Sequence, residues 1–484
     1  MGGSERRSIA AAVVRVLPVL LLPGCEALLG LPTPQLLDGD AAVPVLLRVS
    51  ISGTAGTRGL PVRVTGPDGL DCPGKCTLSV RPGEPVTLSA ADVSGAEFRG
   101  WRGAGEGCGS AATCTLTLTT PGELSARWDL PHNVVFVSSL VYTADFGRGV
   151  DAHAFADGEC QAMATAADLP PGPYVAWIGT MAEPAIMHLG QVSGWVRPDG
   201  ETFALDSAAL IDGRILYPAR LDENGVDVGN ALMLTGTTQD GLIDANCSDW
   251  SKGPPPGGGF SEFPLTAGEA GGSTVVWTAG RGTLSDCGKP GRFYCFGKGK
   301  TDSPPAAPVA PVITSANETD VGRIWVSTVK MTPGSGSGFG LASSLCRGEG
   351  VDREAIALIG EPGVAAGLRV LRVATQEAPV RFVRPDGVAV AASFLDLAEG
   401  RLLAAPNLTI DGAFVGPSEL VWLGSATLEA GSPIQACGDW QNGDSGLSGR
   451  AATAATSFIR ADQQPACSNP QRLLCVDFPI RQFK

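Results

Sequence analysis

Past Pro44 the chain alternates. Val45, Leu47, Val49 and Ile51 fall on one face of an extended segment, and Arg48, Ser50 and Ser52 fall on the other. Val62 with Val64, and Val86 with Leu88, keep the same period of two between Gly and Pro turns. Such runs predict short, half-buried strands. The pattern closes on Glu123–Asp129, so residues 44–129 form a small all-β domain. Ahead of it, Ile9 to Leu22 is nearly all apolar, and residues 26–43, with Pro32, Pro34, Asp38 and Asp40, look like a tether.

Beyond this domain the pattern is duplicated. Val134–Val137 and Arg323–Val326 each open a segment with a strand-like run. Val196-Arg197-Pro198-Asp199-Gly200 recurs as Val383-Arg384-Pro385-Asp386-Gly387. Ile211-Asp212-Gly213 recurs as Ile410-Asp411-Gly412, and Cys247-Ser248-Asp249-Trp250 as Cys437-Gly438-Asp439-Trp440. Asp212-Gly213 suits a tight hairpin between Leu210-Ile211 and Arg214–Tyr217. Residues 299–320, rich in Pro, Ala and Ser, bury no core and read as a linker. Two domains of similar size, 132–298 and 321–484, are expected.

Composition adds the redox setting. Of thirteen cysteines, Cys25 stands alone behind the apolar run. Cys72, Cys76, Cys108 and Cys114 fall in the small domain. Cys160, Cys247, Cys287 and Cys295 form one quartet, repeated as Cys346, Cys437, Cys467 and Cys475. Twelve cysteines that can all pair describe an oxidised, exported protein, although each quartet leaves three pairings open. A formal net charge of −14 over 484 residues argues against a nucleic-acid surface.

Leu22-Pro23-Gly24-Cys25, behind Arg6 and Arg7, resembles the bacterial lipobox. The resemblance implies a signal peptide over 1–25, lipidation of Cys25, and an exported protein held at the outer membrane or cell surface. Arg15 interrupts the apolar run, and an ordinary signal peptide or a short anchor is the alternative. The run is shorter than the about 20 residues of a membrane span.

Asp71–Cys76, Gly83–Leu88, Phe98-Arg99-Gly100-Trp101 and Ala126-Arg127-Trp128 make the small domain similar to the internalin-type B-repeat. That likeness implies bridges Cys72–Cys76 and Cys108–Cys114 and a structural role for Trp101. In the larger copies the order is strand, cysteine-bearing helix, irregular middle, C-x-D-W element, then cysteines on closing strands. Ala156–Cys160 begins the first helix, Tyr174–Ile178 follows as a strand, and Val421–Ser425 precedes Cys437. The order resembles the C-type-lectin-like fold, most closely its endostatin branch. The resemblance implies two α+β domains with nested disulfides: Cys160–Cys295 around Cys247–Cys287, and Cys346–Cys475 around Cys437–Cys467. The second copy has a shortened first helix.

Candidate chemistry is sparse. Trp440-Gln441-Asn442-Gly443-Asp444 offers oxygens that suit calcium, but the nearest lectin-type triplet, Glu183-Pro184-Ala185, lies in the wrong region. Gly443-Asp444-Ser445-Gly446 echoes a serine-protease nucleophile, which needs a histidine base. The chain's three histidines, His132, His153 and His188, all lie in the first copy and read as solvated, with no metal-ligand spacing. Asp249 and Asp439 read as turn caps beside core tryptophans. Arg214, Arg220, Arg381 and Arg384 build no evident heparin patch. The expectation is therefore a non-catalytic envelope lipoprotein that binds a surface glycan or protein, with no catalytic, cofactor or metal residues. A carboxylate-dependent glycan-active enzyme and a passive structural lipoprotein are the alternatives.

Overall fold

The computed structural model describes residues 43–57, 60–254, 263–280, 283–284, 286–300, 304–309, 321–334, 338–349, 355–368 and 380–477. Cys25, the apolar run and most of the tether lie outside them. The protein is multidomain and mostly β, with only 16% helix. Among the described residues, no helix is long and apolar enough to cross a membrane.

The alternating segments of the small domain fold into two four-stranded sheets. Val45–Ser52 runs antiparallel to Thr77–Val80 and parallel to Gly122–Asp129. Leu47, Leu78, Leu124 and Trp101 point inward at 0–2% exposure, as the period of two requires. Short-range disulfides Cys72–Cys76 and Cys108–Cys114 close its loops.

This domain is clamped to the first repeat. Asp168 accepts hydrogen bonds from Arg102 (Nη2, 3.0 Å) and Arg127 (Nη1, 3.1 Å). Burial works to raise the Asp168 carboxyl, yet the hydrogen bond from Arg102 and the charge of Arg127 carry it below its ordinary value. A lowered carboxyl stabilises the fold above the ordinary aspartate range, and that contribution fades as pH falls through the lowered value. The side chain is half exposed, so Asp168→Asn should cost less than about 1 kcal/mol. Urea unfolding at neutral and acidic pH checks this: the wild-type advantage should shrink on acidification.

The first repeat has a five-stranded and a three-stranded sheet, the second a single seven-stranded sheet, and the same central arrangement recurs in both. In the first, Asn133–Val137 lies between the antiparallel Tyr294–Gly297 and the parallel Ser193–Val196. In the second, Val321–Val326 lies between Arg472–Asp477 and Arg381–Val383 in the same senses. The repeated Val-Arg-Pro-Asp-Gly segment makes the same buried fork in both. Arg197 pairs with Asp199 and donates to the Pro218 carbonyl, while Arg384 pairs with Asp386 and donates to the Ala405 carbonyl. Cys160–Cys295 and Cys346–Cys475 fasten the first helix to the last strand of each sheet. Cys247–Cys287 and Cys437–Cys467 lie within those loops.

Two sequence expectations change. Asp212-Gly213 is no hairpin; it ends the helix Ser207–Ile211, where Asp212 is the C-cap and Gly213 (φ 66°) takes the left-handed position that favours glycine. Asp411-Gly412 does sit in a hairpin-like turn, with Leu408 bridged to Phe414. The Ile-Asp-Gly match therefore does not mark equivalent positions. The first helix also starts earlier than Ala156: it spans Ala152–Ala166 with Asp151 as N-cap, against Gly338–Arg347 in the second repeat.

The repeats face one another across a local two-fold axis. Register along Leu232–Leu234 with Leu265–Glu269, and along Leu420–Trp422 with Ala451–Thr453, makes Gly272 equivalent to Thr456. Those two residues form an antiparallel bridge with each other. Beside it, Ser273 N donates to Ala455 O (2.8 Å) and Ser457 N to Gly271 O (2.9 Å), the same bond seen from either side. Arg220 donates to the Leu402 carbonyl (2.6 Å), and the Tyr217 hydroxyl accepts from Ala389 N (2.9 Å).

Candidate functional site

The C-x-D-W element is a single turn of left-handed helix in both repeats. Cys247 through Trp250 have φ of 57°, 53°, 58° and 59°, and Cys437 through Trp440 have 48°, 60°, 60° and 61°. Left-handed backbone costs about 1–2 kcal/mol per non-glycine residue, and only Gly438 escapes it. Burial offsets that cost. Trp250 and Trp440 are at 0–1% exposure in cores shared with the inner cysteines. Their indole N–H groups donate to the Gly179 and Gly360 carbonyls, each at 2.8 Å. The tryptophans are core, as expected from sequence.

Asp249 has a different task from the one expected. The cap is Asn246, whose side chain accepts from Asp249 N (2.9 Å). The Asp249 carboxylate instead accepts from Met181 N (2.7 Å), and so holds the loop that follows strand Tyr174–Ala176. Asn246 also donates to Gly179 O (3.1 Å). Thr180 and Glu183 close the loop by exchanging backbone hydrogen bonds (3.1 and 3.2 Å). Glu183 thus projects from a pinned turn, just before the short helix Ala185–Leu189.

Two histidines converge there, so the reading of all three as solvated is corrected. His153 and Asp157 stand one turn apart on the face of Ala152–Ala166. His188 comes from Ala185–Leu189 and stacks on His153, with ring centroids 3.8 Å apart and planes within 2°. Its Nδ1 lies 2.9 Å from Glu183 Oε2 and its Nε2 lies 2.8 Å from Asp157 Oδ2. The other Asp157 oxygen accepts from Ala176 N (2.8 Å). His153 Nε2 lies 3.0 Å from the Ile178 carbonyl, and its Nδ1 lies 3.9 Å from Glu183 Oε2. His153 is buried, and Glu183 is the most exposed member at 44% of its side chain. The Asp157 hydrogen bond and, after it, the nearby carboxylates hold the His188 imidazolium above its usual pKa against the pull of burial.

The second repeat keeps the frame without this chemistry. Counting from Cys160 and Cys346, and from Gly179 and Gly360, Phe339 stands for His153, Ser343 for Asp157 and Val364 for Glu183. Ser343 Oγ accepts from Ala357 N as Asp157 does from Ala176 N, and Glu361 exchanges backbone bonds with Val364 as Thr180 does with Glu183.

The chain matches no family model and no curated protein.

Other sequence candidates do not assemble. Ser445 is exposed in the second repeat, while the histidines lie in the first. In the calcium candidate, Asn442 Oδ1 accepts from Asp444 N (2.8 Å), a local turn. Sequence reasoning missed the His–carboxylate group and a cleft of about 600 Å³ between the repeats. Thr238, Gln239, Asp244 and Thr266 line that cleft from one repeat and Ser418, Thr453 and Gln463 from the other, together with the apolar Val275, Ala279, Pro417 and Leu420.

Proposed function

We propose that this chain is a non-catalytic, lipid-anchored envelope protein that binds a surface ligand between two lectin-like repeats. The observation that carries the reading is the cleft. Hydroxyls, amides and a single carboxylate line it beside the apolar Val275, Ala279, Pro417 and Leu420, a mixed surface that suits a ligand with both hydroxyls and apolar faces, such as a glycan. Disulfide-stapled repeats fixed to each other by backbone hydrogen bonds supply a preorganised wall on either side. Six disulfides fit an oxidising compartment outside the cytoplasm. The apolar run Ile9 to Leu22, followed by Pro23-Gly24-Cys25, supports anchoring through lipid on that cysteine.

The test is a glycan and envelope-protein array probed with the full exported chain, followed by Ser418→Trp, which places an indole on the cleft lining. A glycan should bind, and the variant should weaken it at least about tenfold, the equivalent of 1.4 kcal/mol. Binding that Ser418→Trp leaves intact would move the ligand off the cleft, and a protein hit would replace the glycan.

A further inference from the structure

The His153–His188 group has the arrangement of a metal site. Ligand atoms of His153, Glu183 and His188 all lie within 4.8 Å of one another. A carbonyl can only accept, so the Ile178 carbonyl requires a proton on His153 Nε2 and turns Nδ1 toward Glu183. Asp157 likewise accepts a hydrogen bond from His188 Nε2–H and turns Nδ1 toward the same carboxylate. Orientation of a metal-bound imidazole by a carbonyl or carboxylate on its far nitrogen is the usual outer support of such sites.

The duplication supplies an independent argument. At the places of His153, Asp157 and Glu183 the second repeat builds the same frame with Phe339, Ser343 and Val364, so that frame does not require those three side chains. Burying imidazoles and carboxylates costs free energy that an apolar replacement avoids. A polar group that the scaffold does without, placed beside a solvent-facing glutamate, is accounted for by a ligand.

We propose that His153 Nδ1, His188 Nδ1 and a Glu183 oxygen bind a divalent transition-metal ion of the zinc class, oriented by Asp157 and the Ile178 carbonyl. Two imidazoles and one carboxylate suit zinc and its neighbours, whereas calcium and magnesium take oxygen ligands. Bonds of about 2.0–2.2 Å require the stacked rings to tilt toward each other and Glu183 to swing in. The proton on His188 Nδ1 leaves to solvent as the ion enters. Three protein ligands leave a fourth tetrahedral position for water or a donor from a bound molecule.

The experiment uses the full exported chain stripped with chelator, titrated with zinc by calorimetry and with cobalt by visible absorption. One ion per chain is expected, with cobalt d–d bands of a nitrogen–oxygen tetrahedron. His153→Phe, which installs the residue that the second repeat carries here, and Glu183→Gln, at a half-exposed position, should each lower affinity at least about a hundredfold. Asp157→Asn should lower it about ten- to a hundredfold through misorientation of His188. His132→Ala should leave it unchanged. Wild-type protein that takes up no zinc or cobalt at tens of micromolar overturns the proposal. So does wild-type affinity in Glu183→Gln together with folded His153→Phe.

Discussion

Replacing Cys160 and Cys295 together by serine should cost the first repeat about 5 kcal/mol, and the same change at Cys346 and Cys475 should cost about as much. Sequence separations of 135 and 129 residues make these the largest closed loops in the protein. In the chain-entropy picture, the denatured ensemble gains most when the longest loop is released. The inner pairs, 40 and 30 residues apart, should contribute about 4 kcal/mol each. Guanidinium unfolding followed by tryptophan fluorescence measures the order. A smaller loss from the outer pair than from the inner one would place the stabilisation in native contacts instead.

Trp250→Ala and Trp440→Ala should each cost about 3–5 kcal/mol, the range for emptying a buried aromatic site. Both rings are at 0–1% exposure, and both cap a carbonyl at the start of a loop. Trp440→Phe keeps most of the apolar contact but removes the donor to Gly360 O, and should cost about 1–3 kcal/mol. The left-handed turn makes the alanine variants worse than packing alone implies: its backbone cost stays while the burial that offsets it goes. In the first repeat the damage should also reach the proposed metal site. Gly179 and Met181 are tied to this turn, so the loop that presents Glu183 loosens with it. Calorimetric zinc titration of Trp250→Phe, which is milder than alanine, should show weakened binding in a protein that remains folded.

Much of the scaffold was legible because its signals are local. Val45, Leu47 and Val49 announce a half-buried strand by alternation alone. Val-Arg-Pro-Asp-Gly marks equivalent places in both repeats because arginine and aspartate two residues apart form one buried fork. The cysteine spacing left the pairings open, and the six bridges observed are those implied by family resemblance. Ile-Asp-Gly misled because Asp-Gly serves equally as a helix end and as a turn, and only register separates the two. The histidine group escaped because its members come from a helix, a pinned loop and a second helix, 31 residues apart between Asp157 and His188. One signal was present: His153 and Asp157, four apart on a helix otherwise rich in alanine, share a face. The left-handed turn had no signal beyond Gly438, since serine occupies that place in the first repeat.

The bridge between Gly272 and Thr456 has the form of a homodimer contact written into one polypeptide. Two separate identical subunits would have to carry every surface twice, once on each side of the dyad. Covalent joining lifts that obligation: one half can hold Phe339 and Val364 while its twin holds His153 and Glu183. The molecule is consequently lopsided in chemistry though balanced in shape, and whatever docks on the imidazole end meets it in a single orientation.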